Sequence, residues 1–261
     1  MYRAQRMGNE FLFTKENHGQ ENREVTMHPP IQRTVNQPQN LQPQNLQLRH
    51  KIPGGWFEPD GHIYRDAQGN RVLSVTQIFQ MLGLVNYDDV SSDVLEHKSE
   101  IGIAVHKAVE LLLQGLLDWD TVDEAAMAYV VGAEIQFRNM AFELAECEQQ
   151  GILETHGMKI GYQYDQRGWI LYNGHKRPVI VDLKTAVQES DTWALQTAAY
   201  ALAAPALKDG EHYLRVVLHL QKDGRVKPLY YDDPQDERTF LYMAYCAQWK
   251  QNHGYQYQRA A

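Results

Sequence analysis

The segment "VIVDLKTA", Val179–Ala186, decides the fold class and raises the first functional question. Its β-branched residues predict a buried strand that ends in Asp182 and Lys184. Because alternate side chains of a strand share a face, this carboxylate and this ammonium point the same way. One interpretation is an ion pair that contributes little stability. The other is a site where a metal-binding carboxylate and a charged lysine meet one phosphate.

The composition fits a globular protein with a sizeable core. The chain has 261 residues, of which 43% are hydrophobic, a usual fraction for a folded domain. No run of eighteen apolar residues is present, which predicts no membrane span, and the N-terminus lacks the apolar core of a secretion signal. Two cysteines exclude a four-thiolate metal site and suit a reducing compartment. We therefore expect a cytoplasmic protein.

The charge argues against a broad basic surface for duplex DNA. The formal net charge is −8, and residues 1–55 carry seven Lys/Arg and four Glu, or +3, which leaves −11 for the remainder. Any contact with nucleic acid would have to be local or bridged by bound cations.

The first 52 residues predict a disordered tail, and residues 53–261 predict a single folded domain. In the tail, "QPQNL" at Gln37–Leu41 repeats at Gln42–Leu46 in a setting rich in Gln, Asn and Pro. Such a composition cannot bury a core. It serves either as a tether for a partner or as a plain linker.

The folded part shows alternating helix and strand patterns. The predicted elements are a hairpin of His62–Arg65 and Arg71–Leu73, a short helix capped by Ser74 or Thr76 and running to Leu82, helices within Ser99–Leu117 and over Val122–Glu148, strands Leu153–Tyr164, Trp169–Asn173 and Val179–Leu183, helix Thr192–Ala203, strands Tyr213–Gln221 and Val226–Tyr231, and helix Gln235–Gln251. This order predicts an α/β fold with a mixed sheet between helices.

Two predicted helices carry candidate functional residues. Gly102 and His106 stand four residues apart on one face, and glycine inside a helix costs about 1 kcal/mol relative to alanine. That cost suggests that backbone or ligand approaches closely at Gly102. Gln196 and Tyr200 share a face of the later helix. Alternatively these residues have no functional role: His106 and Tyr200 would pack in the core, and Gln196 would face the solvent.

Two further acids precede the Asp182 strand. Glu154 opens the first predicted strand and Asp165 closes it. Asp165 is alternatively a turn residue, because "YDQRG" is a plausible hairpin connection.

Taken in order, "GIAVH", Glu154, Asp165, "DLK" and "QTAAY" resemble the pattern of the PD-(D/E)xK nuclease superfamily, in its RecB-like and lambda-exonuclease-like branch. The resemblance covers about Gly61 to Gln251. The segment "LHLQKDGRVK" is similar to one found in small nuclease-like proteins of phages and prophages. The resemblance implies a restriction-endonuclease-like core, with a central mixed sheet flanked by helices.

The resemblance also implies a site for Mg²⁺ or Mn²⁺. Asp165 and Asp182 would ligate the cation, the backbone carbonyl of Leu183 would be a third donor, and His106 would add a nitrogen ligand that favours Mn²⁺. Glu154 would orient a water on the cation or hold His106 in place.

The remaining roles fall to a lysine and three polar residues. Lys184 would stay protonated beside the carboxylates, position the attacking water and stabilise developing charge. Thr185, Gln196 and Tyr200 would contact the DNA phosphates or the lysine.

One motif departs from the family pattern. The second acid belongs to a G-x-x-D motif, but Gly161 to Asp165 is one residue too long. The competing alignment starts at Gly168 and puts Leu171 at the ligand position, which would disable the metal site. We prefer Asp165, because a β-bulge absorbs one residue.

The sequence therefore predicts a metal-dependent DNA nuclease, preferably an exonuclease, acting in phage DNA recombination, repair or processing. The alternatives are an inactive nuclease fold that binds DNA ends or a protein, and an unrelated α/β protein with a chance D-x-K. Expected partners are DNA and a single-strand annealing or single-strand-binding protein, with no membrane. Related exonucleases can form rings, so a homo-oligomer is compatible with the resemblance.

Overall fold

A computed structural model describes residues 2–7, 10–15, 49–85, 92–208 and 210–255, with the backbone alone for 2–15 and 92–98. The chain divides into two compact units. The first comprises Met1–Gln47 and Trp119–Thr121, and the second comprises Leu48–Asp118 and Val122–Ala261.

The described part of the first unit is a strand pair and a short helix. Strands β1 (Tyr2–Met7) and β2 (Glu10–Lys15) pair in antiparallel fashion. A 3-10 helix covers Trp119–Thr121. Most of the tail for which disorder was predicted, residues 1–52, lies outside the described residues.

The second unit contains two sheets and five helices within its described residues. The strands are β3 (His50–Ile52), β4 (Gly55–Glu58), β5 (Ile63–Asp66), β6 (Arg71–Val72), β7 (Glu143–Thr155), β8 (Met158–Tyr172), β9 (His175–Lys184), β10 (Leu214–Leu220) and β11 (Val226–Tyr231). The helices are α1 (Val75–Met81), α2 (Ser92–Leu113), α3 (Glu124–Asn139), α4 (Thr192–Ala203) and α5 (Gln235–Asn252).

The central sheet has five strands in the order β11-β10-β9-β8-β7. Strands β9 and β10 run parallel and are joined through α4, and the other neighbours are antiparallel. Helices α4 and α5 pack against the sheet, and α3 packs on β10 and β11. The predicted fold class, an α/β protein with a mixed sheet flanked by helices, is therefore confirmed. No helix within the described residues combines the length and apolarity needed to cross a membrane.

The smaller sheet, in the order β3-β4-β5-β6, packs on β7 and β8, and the ring of Tyr64 lies in this contact. Tyr64 on β5 is 1% exposed, and its hydroxyl donates to the carbonyl of Tyr162. A Cβ added to Gly161 would lie 2.4 Å from the Tyr64 ring. Gly161 is thus required by this packing, which gives a structural reason for the glycine quoted in the G-x-x-D motif.

Several predicted elements are confirmed, some to the residue. Helix α4 has the predicted bounds, and the hairpin β10–β11 and helix α5 differ from the prediction by one residue at an end. The Ser74 hydroxyl caps α1 by accepting from the Gln77 N–H, and the Gln77 side chain accepts from the Ser74 N–H. This reciprocal capping box fixes where the helix begins.

Two predictions were wrong. One is the extent of the helix after Val122, and the other is the bounds of the strands before Val179, because the strand predicted over Leu153–Tyr164 is interrupted by the turn at His156–Gly157. The helix predicted over Val122–Glu148 ends at Asn139, and Ala141 has a left-handed φ of 48° before β7 begins. Strand β8 is continuous through Asp165, so "YDQRG" is not a turn and Asp165 does not close a strand. Both errors have one physical cause: β7 pairs along almost the whole of β8, and this tertiary pairing overrides local helix propensity.

Candidate metal centre and catalytic site

Strands β8 and β9 bring two carboxylates together. The strands pair as far as Gln166 opposite Val181, and one residue further places Asp165 beside Asp182. The Leu183 N–H donates to Asp165 Oδ2 at 2.6 Å, so the backbone of β9 fixes the Asp165 carboxylate. Both aspartates are buried, at 6% and 2% exposure.

Lys184 lies on the same strand face as Asp182. Its Nζ is 2.7 Å from Asp182 Oδ2, and its side chain is 19% exposed. The ion pair proposed as the simpler interpretation of D-x-K is therefore present, but it is buried rather than on the surface. A buried charge pair of this kind is costly unless further groups satisfy it.

Helix α2 adds an imidazole to the carboxylates. His106 Nδ1 lies 3.3 Å from Asp165 Oδ1, and its side chain is 30% exposed. Burial opposes a charge on this ring, but the Asp165 carboxylate outweighs it and raises the pKa of His106 to about 9. The imidazole is therefore protonated at neutral pH in the metal-free protein.

The pKa values of the two aspartates are shifted in opposite directions. Burial favours the neutral form of Asp165, but His106, Lys184 and the Leu183 N–H prevail and lower the pKa of its carboxyl. Burial raises the pKa of Asp182, and the neighbouring Asp165 charge adds to that rise while Lys184 opposes it. Two adjacent buried carboxylates resist being ionised together, which is the condition that a bound cation relieves.

Glu148 on β7 is a fifth member that sequence reasoning missed. In the β7–β8 register, Cys147 opposes Gln166 and Gln149 opposes Tyr164, so Glu148 falls opposite Asp165. Ligand atoms of His106, Glu148 and Asp165 all lie within 4.8 Å of one another. We call these three residues, with Asp182 and Lys184, the carboxylate cluster.

The Glu148 carboxylate has one satisfied oxygen and one unsatisfied oxygen. Oε2 accepts from Gln163 Nε2 at 2.9 Å, whereas Oε1 is buried and has no hydrogen-bond partner within the described part of the chain. Burial, reinforced by the Asp165 charge, raises the pKa of Glu148 to about 7. An orphaned buried oxygen next to a histidine and an aspartate fits a divalent cation, which prefers oxygen ligands.

Little in the sequence marks Glu148. The segment from Ala141 to Gly151 contains no β-branched residue, and its Ala, Leu, Glu and Gln favour helix by propensity. A strand there is dictated by pairing with β8. Only the accumulation of three glutamates at positions 143, 146 and 148 hints at a site.

Glu154 is not part of the cluster, which corrects the predicted role of this residue. It lies near the far end of β7 opposite Lys159, about 20 Å along the strand from Glu148. The error follows from the strand bounds: β7 begins at Glu143 and not at Leu153, so the residue opposite Asp165 is Glu148.

Leu171 is also far from the cluster. It is 59% exposed and pairs with Lys176 near the tip of the β8–β9 hairpin. The position beside Asp182 and His106 is occupied by Asp165. The bulge expected between Gly161 and Asp165 is absent, because Gly161 to Tyr164 pair without interruption with Ile152 to Gln149.

Helix α4 covers the carboxylates with a phenol. Tyr200 is 6% exposed and its hydroxyl accepts from Gln196 Nε2 at 2.7 Å. Burial first, and then the charges of Asp182 and Asp165, raise the pKa of Tyr200 well above its ordinary value, so it remains a hydrogen-bond donor. Tyr200 packs in the hydrophobic core, as the alternative interpretation of this residue predicted. Gln196 is half-buried and not fully exposed to solvent.

Thr185 lies where α2 approaches the end of β9. A Cβ added to Gly102 would lie 3.4 Å from Thr185 Oγ1, an ordinary contact. Packing against Thr185 therefore does not demand glycine. The missing side chain leaves room beside the threonine hydroxyl, next to Lys184.

Comparisons with known proteins add little to this geometry. No protein-family model matches the chain. No curated protein matches it. Among solved structures, the chain is similar to one described as a "Putative exonuclease" from Eubacterium rectale, with a TM-score of 0.44 and 11% identity over 71% of this chain and 82% of that one. A likeness of this size shows neither family nor activity.

Proposed function

We propose that this chain is a metal-dependent deoxyribonuclease that hydrolyses phosphodiester bonds, acting from DNA ends. The observation that carries the proposal is the carboxylate cluster: four potential ligands and one lysine, brought from α2, β7, β8 and β9 to one place. The motif resemblance supports the same reaction.

The ligand set suits a hard divalent cation. Carboxylate oxygens are the preferred ligands of Mg²⁺, and the imidazole nitrogen of His106 extends the set towards Mn²⁺. When bound, such a cation acts as a Lewis acid and neutralises charge on the phosphate. Glu148, Asp165 and His106 would hold it, and Asp182 would complete the set. The Leu183 carbonyl remains a predicted donor.

Lys184 supplies the positive charge that the reaction needs at the phosphate. In hydrolysis, a water oxygen forms a bond to phosphorus, the bond from phosphorus to the 3′-oxygen breaks, and the leaving oxygen takes up a proton. An ammonium held beside carboxylates stays charged, so Lys184 can orient the water and stabilise the negative charge that develops. Asp182 fixes its position through the 2.7 Å contact.

The polar residues around the cluster would position the substrate. The Thr185 hydroxyl and the half-buried Gln196 amide can hydrogen-bond phosphate oxygens, and Gln196 is itself oriented by Tyr200. A role in phage recombination or repair, and a single-strand annealing or single-strand-binding partner, rest on the resemblance alone.

The test is a cleavage assay on linear and circular DNA with Mg²⁺, Mn²⁺ or EDTA. We expect linear DNA to be degraded with either cation and not with EDTA, and circular DNA to survive. Replacing Lys184 by Ala or Asp182 by Asn should lower the rate by about 10²- to 10⁴-fold, because each change removes a charge used at the reacting phosphate.

A matched control is Asp66→Asn, which also removes a buried acid but outside the cluster, and it should retain the rate. Equal activity in all variants would mean that the cutting comes from another source. A chain that binds DNA ends but cuts with neither cation would instead support the alternative, an inactive nuclease fold that binds DNA ends or a protein.

A further inference from the structure

The outer face of α5 carries an unusual row of exposed aromatic rings. Tyr242, Tyr245 and Trp249 are 70%, 44% and 55% exposed, and Tyr255, just past the helix, is 53% exposed. Their helical spacing of three and four residues places the first three on one face. We call these four residues, with His253, the aromatic stripe. The cleavage mechanism uses none of them.

Four of the five rings of the stripe, those of Tyr245, Trp249, His253 and Tyr255, contact one another or the backbone. The Trp249 and His253 rings stack with centroids 4.2 Å apart, and Tyr255 lies 6.0 Å from Trp249. The Tyr245 hydroxyl donates to the carbonyl of His156 at 2.7 Å. Exposed rings that are already ordered lose little conformational entropy when they bind a flat ligand.

The charge of this face is opposite to that of the whole chain. From Arg238 to Ala261 the sequence contains three Lys/Arg and no Asp or Glu, although the net charge of the chain is −8. Arg238 is exposed on the helix, and Lys250 Nζ lies 5.8 Å from the Tyr255 ring centroid. From Arg238 onward the helix therefore offers cationic and aromatic side chains, which are complementary to an anionic ligand with flat faces.

We propose that the aromatic stripe binds single-stranded DNA by stacking unpaired bases on its rings, with the phosphates near Arg238 and Lys250. Bases inside a duplex have no free face to offer, so the surface selects unpaired strands. The choice of DNA as the polymer rests on the proposed function, whereas the residues of the stripe are separate from the carboxylate cluster.

The spacing of the rings fits a strand whose bases are separated. Along a helix axis, Tyr242 and Tyr245 are displaced by about 4.5 Å, and Tyr245 and Trp249 by about 6 Å. Both steps exceed the roughly 3.4 Å between stacked bases of one strand. The stripe therefore accommodates an extended strand, with bases received one at a time.

A second copy of the chain fits the stripe less well. In a two-fold contact the same patch lies on both sides of the interface. Arg238 and Lys250 would then lie opposite like charges, because the two acids of the helix, Asp236 and Glu237, are confined to its first turn and Asp236 is already paired with Arg215. Like charges across an interface disfavour association.

The experiment measures fluorescence anisotropy of labelled oligothymidylate of twenty nucleotides with the full chain. The Asp182→Asn background in EDTA prevents cutting during the measurement. We expect Trp249→Ala to weaken binding by about 5- to 100-fold, the range for losing one base–ring stack, and Tyr242→Ala with Tyr245→Ala, which removes two rings, to weaken it at least as much. Trp249→Phe should retain most of the affinity, and Arg238→Glu should weaken it and reduce its salt dependence.

Trp169→Ala is the matched control. Trp169 is also partly exposed, at 36%, and has a lysine, Lys176, 5.5 Å from its ring, but it lies on β8. The Trp169→Ala substitution should leave the affinity for oligothymidylate unchanged. Circular dichroism of each variant establishes that the fold is retained, and Trp249→Phe and Arg238→Glu test the stripe without deleting a buried group.

Three results would overturn the inference. The first is equal affinity of Trp249→Ala and its parent for the oligonucleotide. The second is tighter binding to oligouridylate or to duplex DNA than to oligothymidylate. The third is a variant without the rings whose sedimenting mass changes while its affinity for DNA does not. A chain that cuts DNA yet binds oligothymidylate regardless of Trp249 would contradict the stripe and leave the nuclease function standing.

Discussion

Glu148 has a backbone conformation that residues other than glycine rarely adopt. Its φ is 51°, within a strand, and its Oε1 is buried without a hydrogen bond inside the described residues. Strain of this kind and an unsatisfied buried oxygen both cost stability, and they persist where a site requires them. Both features support the proposed role of Glu148 as a ligand of the cation.

This arrangement predicts opposite effects of Glu148→Gln on stability and on cation affinity. In EDTA above pH 7, where Glu148 is ionised, the variant should be more stable by about 1–3 kcal/mol, because a neutral amide replaces a carboxylate whose buried Oε1 has no hydrogen-bond partner among the described residues. Its affinity for Mn²⁺ should fall at least about tenfold, because one charged oxygen ligand is lost. Urea denaturation in EDTA and calorimetric titration with Mn²⁺ measure the two quantities.

Glu154→Gln, on the same strand as Glu148 but near its far end, removes an acid outside the cluster and should change neither quantity. Loss of stability together with unchanged Mn²⁺ affinity would assign Glu148 a purely structural role.

At the scale of the element, the sequence succeeds where local pattern and tertiary structure agree. Helix α4 and the β10–β11 hairpin have clear periodicity and turn residues, and both were predicted to within a residue. The rule fails at β7, where helix-favouring residues form a strand by pairing with β8. The cluster divides in the same way: Asp182 and Lys184 follow from a recognisable strand, whereas Glu148 depends on a long-range register that no local pattern encodes.

The link between β5 and β8 gives a pH-dependent prediction. Lys159 Nζ lies 2.8 Å from Asp66 Oδ2, and the Asn70 N–H donates to Asp66 Oδ1. The hydrogen bond from Lys159, aided by those from Asn70, outweighs burial and lowers the pKa of Asp66 to about 2. A carboxyl with a lowered pKa in the folded state stabilises the protein above its unfolded pKa of about 3.9, and this contribution disappears as the pH falls towards 2.

Asp66→Asn should therefore cost about 1–2 kcal/mol at pH 7 and almost nothing at pH 2, after allowance for solvent around Lys159. Urea denaturation at several pH values between 2 and 7 measures the difference. Asp223→Asn removes an exposed acid whose pKa is also lowered, by hydrogen bonds from Arg225, and it should show a smaller pH dependence of the same sign, because solvent screens this pair. An equal cost of Asp66→Asn at both pH values would exclude the charge as the cause.

At the scale of the whole molecule, acidic and basic surfaces have separate tasks. The net charge of −8 opposes general contact with DNA, and a divalent cation at the carboxylate cluster would reverse that repulsion locally. The aromatic stripe of helix α5 would offer a second, metal-independent contact. Substrate selection would then depend on two local features and not on the average charge of the surface.

The division of the chain into two units predicts that residues 1–47 are not needed for either proposed activity. Every member of the carboxylate cluster and of the aromatic stripe lies in the second unit, Leu48–Asp118 with Val122–Ala261. Removing residues 1–47 should therefore keep the rate of DNA cutting and the affinity for oligothymidylate within about twofold, and leave the unfolding transition cooperative. Thermal denaturation and the two assays described above, on the full and shortened chains, test this. A shortened chain that folds but no longer cuts would assign the N-terminal segment a part in the reaction, because none of the residues proposed to act on the phosphate would have been removed.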